Sequence, residues 1–321
     1  MDTSDPTPQK VFYDARRRAF WQTLLSLVSQ RPDRLLSWDQ VKETLRLHGK
    51  TIHRQIETVP LDRIVGSVGR YNDFDRAFLP RHDNLEPRWS SVARAHESGI
   101  QLPPINLYRV GEVYFVVDGH HRVSVARSQG IRYLDARVTE IESDVPIDVD
   151  LDAHNLAIKG EYARFLQQTQ LHELRPDQRL ETSAAGGYQR ILEQIAMHSC
   201  LIEARRGHPI SQTEAVAAWY DEVYLPIVDM IREQGILTGF PQRTETDLYL
   251  WIVAHQEYLH DQCGTAINTE RAAEHYAERY PRRMIQRAAQ AAKELVTGLD
   301  CDLLAENDEN ESTEPHPQSQ Y

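Results

Sequence analysis

Apolar residues recur at helical spacing from 9 to 30, where Phe12, Ala15, Ala19, Phe20, Leu24, Leu27 and Val28 share one face. Pro32 breaks that pattern, Ser37 is placed to cap a second helix over 38–48, and Gly49 to end it. Near residue 55 the period changes. IETVPLDRIV (56–65) predicts a strand and a turn, 88–98 a helix stopped by Gly99, and PINLYR (104–109) and EVYFVV (112–117) two strands joined at Val110-Gly111. A helix starting near Arg122 or Val123 and stopping at Gly130 follows, and RYLDARVTEI (132–141) alternates as another strand. Beyond 150 the period is helical: 158–174, 187–206, and a helix opened by the capping box Ser211–Glu214 that runs to about 234. Pro226 should kink or split that helix. Thr244–Asp247 caps a further helix carrying Leu248, Trp251, Ile252, His255 and Leu259, and Pro281 opens a last one ending at Gly298. The expected class is α+β: N-terminal helices (1–54), a small α/β domain (55–145), a larger all-α domain of about five helices (150–299) and a tail (300–321).

Composition narrows the class. Of 321 residues 40% are apolar and 26% charged, as in ordinary globular chains. No apolar run is long enough to span a membrane, and MDTSDPTPQK has neither the basic start nor the apolar core of a signal peptide, so a cytoplasmic location is expected. Cys200, Cys263 and Cys301 are odd in number and far apart, which indicates neither a disulfide framework nor a zinc site. The net charge of −12 argues against a protein built to grip a phosphate backbone. Asp302, Glu306, Asp308, Glu309, Glu311 and Glu314, with no Lys or Arg among them, predict a disordered acidic tail. Arg16, Arg17 and Arg18 form a basic cluster that reads as a solvated helix face.

The chemistry concentrates at Asp118-Gly119-His120-His121-Arg122, between a buried strand and a helix. The first turn of a helix leaves backbone N–H groups unpaired and carries partial positive charge, so it attracts anions. Gly119 lets backbone approach a ligand. Arg122 offers a planar fork to phosphate oxygens, and His120 and His121 can donate to phosphate or move a proton near neutral pH. Asp118 could hold a histidine tautomer, cap the helix or help bind magnesium. A paired-histidine metal site lacks an identifiable third ligand, and no metal-binding residue is assigned.

Residues 58–142 resemble the ParB/sulfiredoxin-like superfamily. VPLDRIVGSVGRYNDF is similar to the first ParB motif, a strand and short loop ending in an arginine matched by Arg70. ESGIQLPPINLYRVGEVYFVVDGHHRVSVARSQGI resembles the second block: a helix end, a strand, a hairpin and a Gly-x-x-Arg box opening a helix. ParB proteins typically carry Gly-Glu-Arg-Arg there and sulfiredoxins Gly-Cys-His-Arg. The Asp-Gly-His-His-Arg form is similar to the variant in free serine kinases of the same fold. The longer chain looks like a group of bacterial proteins that join this domain to a helical region holding a stretch like GFPQRTETDLYLWI.

The resemblance implies a nucleotide at this box, ATP or ADP as in sulfiredoxins and the serine kinases or CTP as in ParB, with Mg2+ as its companion. It implies phosphate contacts from Gly119, His120, His121 and Arg122, with Arg70 facing them. Asp118 belongs to the same box, and His121 doubles as a catalytic candidate. His120 replaces the sulfiredoxin cysteine, which argues against sulfinic acid repair. The serine kinases place a catalytic acid upstream of the box, and Asp73 and Asp75 match that position loosely. No helix-turn-helix follows, as it would in a partition protein.

Other constellations carry less. Glu257 and His260 have the spacing of one half of a di-iron motif, and its remaining carboxylates are missing. Phe240–Arg243 reads as a connector, and Trp219, Tyr220 and Tyr224 as helix-packing residues. Two functions compete. One is a phosphotransferase or NTPase that passes a terminal phosphate to a small acceptor or to water. The other is a non-catalytic, nucleotide-gated regulatory or DNA-binding module that could oligomerise. A nuclease would need a carboxylate metal cluster that the sequence does not assemble.

Overall fold

The structure is a computed structural model that describes residues 7–29, 34–47 and 51–263, without the side chains of 20–29, 51–54 and 257–263. The expected last helix, the acidic tail, Gly49, Cys301 and the Glu257/His260 pair therefore lie outside the described residues or side chains. The fold is mixed α+β, in two compact units, Met1–His172 and Glu173–Tyr321.

In the first unit α1 (Pro8–Ser29) leads to β1 (Leu36–Ser37), α2 (Trp38–Thr44) and β2 (Thr51–Pro60). A 3-10 turn (Leu61–Arg63) enters β3 (Ile64–Ser67), and a long loop precedes α3 (Glu86–Glu97). The hairpin β4 (Ile105–Val110) and β5 (Val113–Asp118) follows, then α4 (His120–Ser128), β6 (Tyr133–Ile141), α5 (Ala153–Thr169) and the short α6 (Leu171–Leu174). The six strands form one sheet in the order β1-β3-β5-β4-β6-β2. β3 and β5 run parallel side by side, so both chains leave the sheet at the same edge.

Strand alternation sorts the core onto two faces. Ile64, Ile105, Leu107, Tyr114, Val116, Ala136 and Val138 share a cluster with Phe12 of α1, Trp89 of α3 and Val123 of α4. On the other face Phe115 and Tyr108 pack against Trp38 of α2, with ring centroids 5.2 and 4.9 Å away. Gly66 is required between the faces, because a Cβ there would overlap the Phe115 ring and lie 2.6 Å from the Leu36 carbonyl oxygen. The Trp89 indole N–H donates to Ser124 Oγ at 2.9 Å and ties α3 to α4.

The second unit contains α7 (Gly187–Arg206), α8 (Gln212–Trp219), a π-turn (Tyr220–Tyr224), α9 (Leu225–Glu233), a 3-10 turn (Ile236–Gly239) and α10 (Glu245–Cys263). Ser211 Oγ accepts from the Glu214 N–H, and Thr244 and Asp247 cap each other reciprocally, as the sequence predicts. Pro226 splits the long helix through the π-turn: the wider turn makes room where the proline ring would meet a carbonyl of the preceding turn. Trp219 and Tyr224 are fully buried, and both rings meet Tyr249 edge-on. Among the described residues no helix is long and apolar enough to cross a membrane.

Candidate functional site

A cavity of about 550 Å³ opens at the carboxyl ends of β3 and β5, where ligands gather in sheets with parallel strands. The loop after β3 contributes Arg70 and Asp73, α3 and the turn before it contribute Asn84 and Arg88, and the turn after β5 contributes Asp118 to Arg122. The sequence-predicted residues thus line one cavity, with the exception of Asp75.

The turn is built on Gly119. Its φ of 100° lies in the left-handed region, and a Cβ would sit 2.9 Å from Ile105 Cβ and 3.1 Å from Arg122 Cζ. The helix begins at His120, earlier than the spacing predicts, so both histidines belong to its first turn. Among the described residues the N–H groups of His120, His121 and Arg122 make no backbone hydrogen bond, while Val123 N–H reaches the Gly119 carbonyl at 3.0 Å. Asp118 does not cap the helix. It clasps Arg122, Oδ2 to Nη2, at 2.6 Å. Arg122 Nη1 also donates to the Pro104 carbonyl at 3.1 Å and to that of Pro103. The fork is committed to holding the entry of β4, and Arg122 also lines the cavity.

The two histidines differ. His120 Nε2 lies 2.8 Å from Ser67 Oγ at the end of β3, and its ring stacks on Phe74. That contact pins the helix to the sheet. His121 Nε2 stands 3.2 Å from Arg70 Nη1. Because arginine only donates, Nε2 accepts, and the proton of the neutral ring sits on Nδ1, which is buried without a partner among the described residues. Burial, and then the charge of Arg70, push both histidines down to about 4. At neutral pH neither supplies positive charge.

That charge comes from Arg70, Arg88 and Arg122. Arg70 is offset by Asp73 (Nε to Oδ2, 3.5 Å) and Arg122 by Asp118. Arg88 is exposed and has no hydrogen-bond or ion-pair partner among the described residues. Sequence reasoning missed it: on an exposed helix face it looks like any solvated arginine, and only the fold brings it beside the box.

The two candidate acids separate. Asp73 lines the cavity. Asp75 is fully buried, with Oδ1 accepting the Leu79 N–H at 2.7 Å, and acts as the staple of the 75–79 turn. Beneath it Arg127 donates to the carbonyls of Ile64 and Arg76 at 3.0 Å each and lies over the Phe78 ring, its pKa pushed down to about 10 chiefly by burial. Among the described residues no group of three His, Cys, Asp or Glu could hold a metal ion. Arg16 of the basic N-terminal cluster is engaged with Asp83 and the Arg81 carbonyl, and Arg17 with Asp14.

No protein-family model and no curated protein matches the chain. Among solved structures it is similar to a Pnob8-like ParB-N domain, in its C2221 form, at 11% identity over 77% of this chain and 98% of that one, with a TM-score of 0.20. A score that low does not establish a shared fold.

Proposed function

We propose that the cavity at the ends of β3 and β5 binds the phosphates of a nucleotide, ATP or ADP or CTP. One observation carries the reading: the guanidinium of Arg88, without a partner among the described residues, and the three N–H groups of the α4 first turn, without a backbone partner among them, belong to residues of the same cavity. The motif resemblance supports it, since the Gly119–Arg122 box stands after a strand and opens a helix. A phosphate displaces Asp73 from Arg70 and takes both arginines. Magnesium would find two carboxylates in the lining, Asp73 and Asp118, the number it takes from protein when phosphates and water supply the rest.

The same residues outline phosphoryl transfer to a small acceptor or to water. Asp73, once released from Arg70, accepts the acceptor's proton, and Arg70 and Arg88 stabilise the charge on the moving phosphoryl group. His121 is neutral and hydrogen-bonded to Arg70, so it positions that guanidinium. The alternative is a module in which the nucleotide is bound without turnover.

Calorimetric titration of ATP, ADP and CTP with Mg2+ tests the reading on the native chain and on Arg88→Ala and Arg70→Ala. Binding is expected for at least one nucleotide, weakened about tenfold or more in each variant, a loss of about 1.4 kcal/mol. No binding by any of the three overturns it. Phosphate release by the native chain, abolished by Asp73→Asn, separates the enzyme from the module.

A further inference from the structure

The helical unit has a cavity of its own, about 850 Å³, between the loop after α6, the π-turn and the start of α10. Most of its charges are already spent. Arg175 Nε bonds Asp221 Oδ1 at 2.9 Å in a two-pronged pair that holds the Asp221 carboxyl below the usual range. Arg232 bonds both oxygens of Glu245, at 2.8 and 2.7 Å, and Asp229 at 3.0 Å. Together they set two arginines against three carboxylates.

Glu181, Gln178 and Thr244 also line the cavity and have partners, which leaves three polar groups without one among the described residues. Arg179 and Asp177, two residues apart on the same loop, are exposed, line the cavity and have no partner among the described residues. Tyr220 is 8% exposed and lines the cavity, yet its hydroxyl makes no hydrogen bond among the described residues. Burial raises its pKa, so at neutral pH it keeps its proton and is a donor. Tyr224 is different, since its hydroxyl is bonded to Thr246 Oγ1 at 2.8 Å. The Tyr220 and Tyr224 rings stack with centroids 5.3 Å apart, because the π-turn brings residues four apart onto one side, and Leu225 and Pro176 extend the apolar surface.

We infer that this cavity binds a small zwitterion with a flat or apolar body. Its carboxylate meets Arg179 and the Tyr220 hydroxyl, its ammonium meets Asp177, and its body lies on the tyrosines and Leu225. A plain anion sets its charge against Asp177 and leaves that carboxylate unmet, and a plain cation does the same to Arg179. Matching both unpaired charges at once is what selects the amphoteric class.

The test is calorimetry on the full chain with L-phenylalanine as the probe, beside phenethylamine, which lacks the carboxylate, and 3-phenylpropanoate, which lacks the ammonium. L-phenylalanine is expected to bind, and each singly charged relative to bind about tenfold more weakly or worse. Arg179→Gln and Asp177→Asn, both at exposed positions, should each weaken the zwitterion about tenfold with the thermal unfolding midpoint unchanged. Tyr220→Phe should weaken it too. No binding of L-phenylalanine up to about 10 mM, equal affinity in the Arg179 and Asp177 variants, or equal binding of 3-phenylpropanoate would each overturn the inference.

Discussion

Gly119 joins a left-handed backbone to a close approach by Ile105, so any side chain there is strained twice. Gly119→Ala should cost roughly 1–3 kcal/mol, read as a lower urea midpoint, and should weaken nucleotide binding because the first turn of α4 is displaced. The histidines beside it make stability depend on pH. Each takes a proton near 6.5 when unfolded and near 4 when folded. Between those values the unfolded chain binds more protons, so stability is fully present above pH 6.5 and is lost as pH falls toward 4. The loss amounts to roughly 3 kcal/mol per histidine. Urea midpoints at pH 7, 6 and 5 should fall accordingly, and His121→Gln, which keeps an acceptor for Arg70, should halve the slope. An unchanged slope would mean that His121 is not buried neutral. A bound phosphate opposes the charges of Arg70 and Arg88, so saturating nucleotide should raise the His121 pKa, visible as a shift of its ring proton resonances in an NMR titration.

Gly66 leaves the Phe115 ring and the β1 backbone the space that a side chain on β3 would fill. Gly66→Ala pushes a methyl into the Phe115 ring and the β1 backbone. Overpacking of this kind costs typically 1–3 kcal/mol, and Phe115→Leu in the same chain should return part of it; thermal unfolding of the two variants checks both halves. Much of this layer was legible in the sequence. Caps, glycine stops and alternation place α3, β4, β5, β6, α7 and α10 close to where they stand. The misses have local causes. α4 begins at His120 because Gly119 turns the chain at once, whereas the apolar period resumes only at Val123. The helix expected over 158–174 starts earlier, at an Asp152 cap that receives the Asn155 N–H at 2.8 Å, and breaks at Gln170, which adopts φ 54°. Asp73 and Asp75 could not be told apart along the chain, because the two residues flank Phe74 alike and only the folded turn, in which Asp75 is buried and holds the Leu79 N–H, separates them. The Asp118–Arg122 clasp was equally hidden, since a charge at a helix start serves a ligand or a neighbouring loop with the same residue types.

Across the whole molecule the charge is −12, while the cavity at the ends of β3 and β5 gathers three arginines against two carboxylates. These opposing fields act over different ranges. At 0.15 M salt the screening length is about 8 Å, so a single nucleotide responds to Arg70 and Arg88 and little else. A DNA duplex lies across a much longer stretch of surface and meets the net negative charge. It would also need a row of phosphate contacts, each adding about one to the slope of log affinity against log salt. The basic residues that could supply such a row in the N-terminal helix are partly spent, Arg16 on Asp83 and Arg17 on Asp14. Nucleotide affinity should therefore fall only modestly between 50 and 200 mM salt, with a slope of about one to two. A fluorescently labelled duplex should show no anisotropy change at 0.15 M salt, with or without nucleotide. A duplex that binds with a steep slope only when nucleotide is present would invert the reading: the arginines would still hold phosphate, and the nucleotide would then act as the signal that exposes a DNA-binding face.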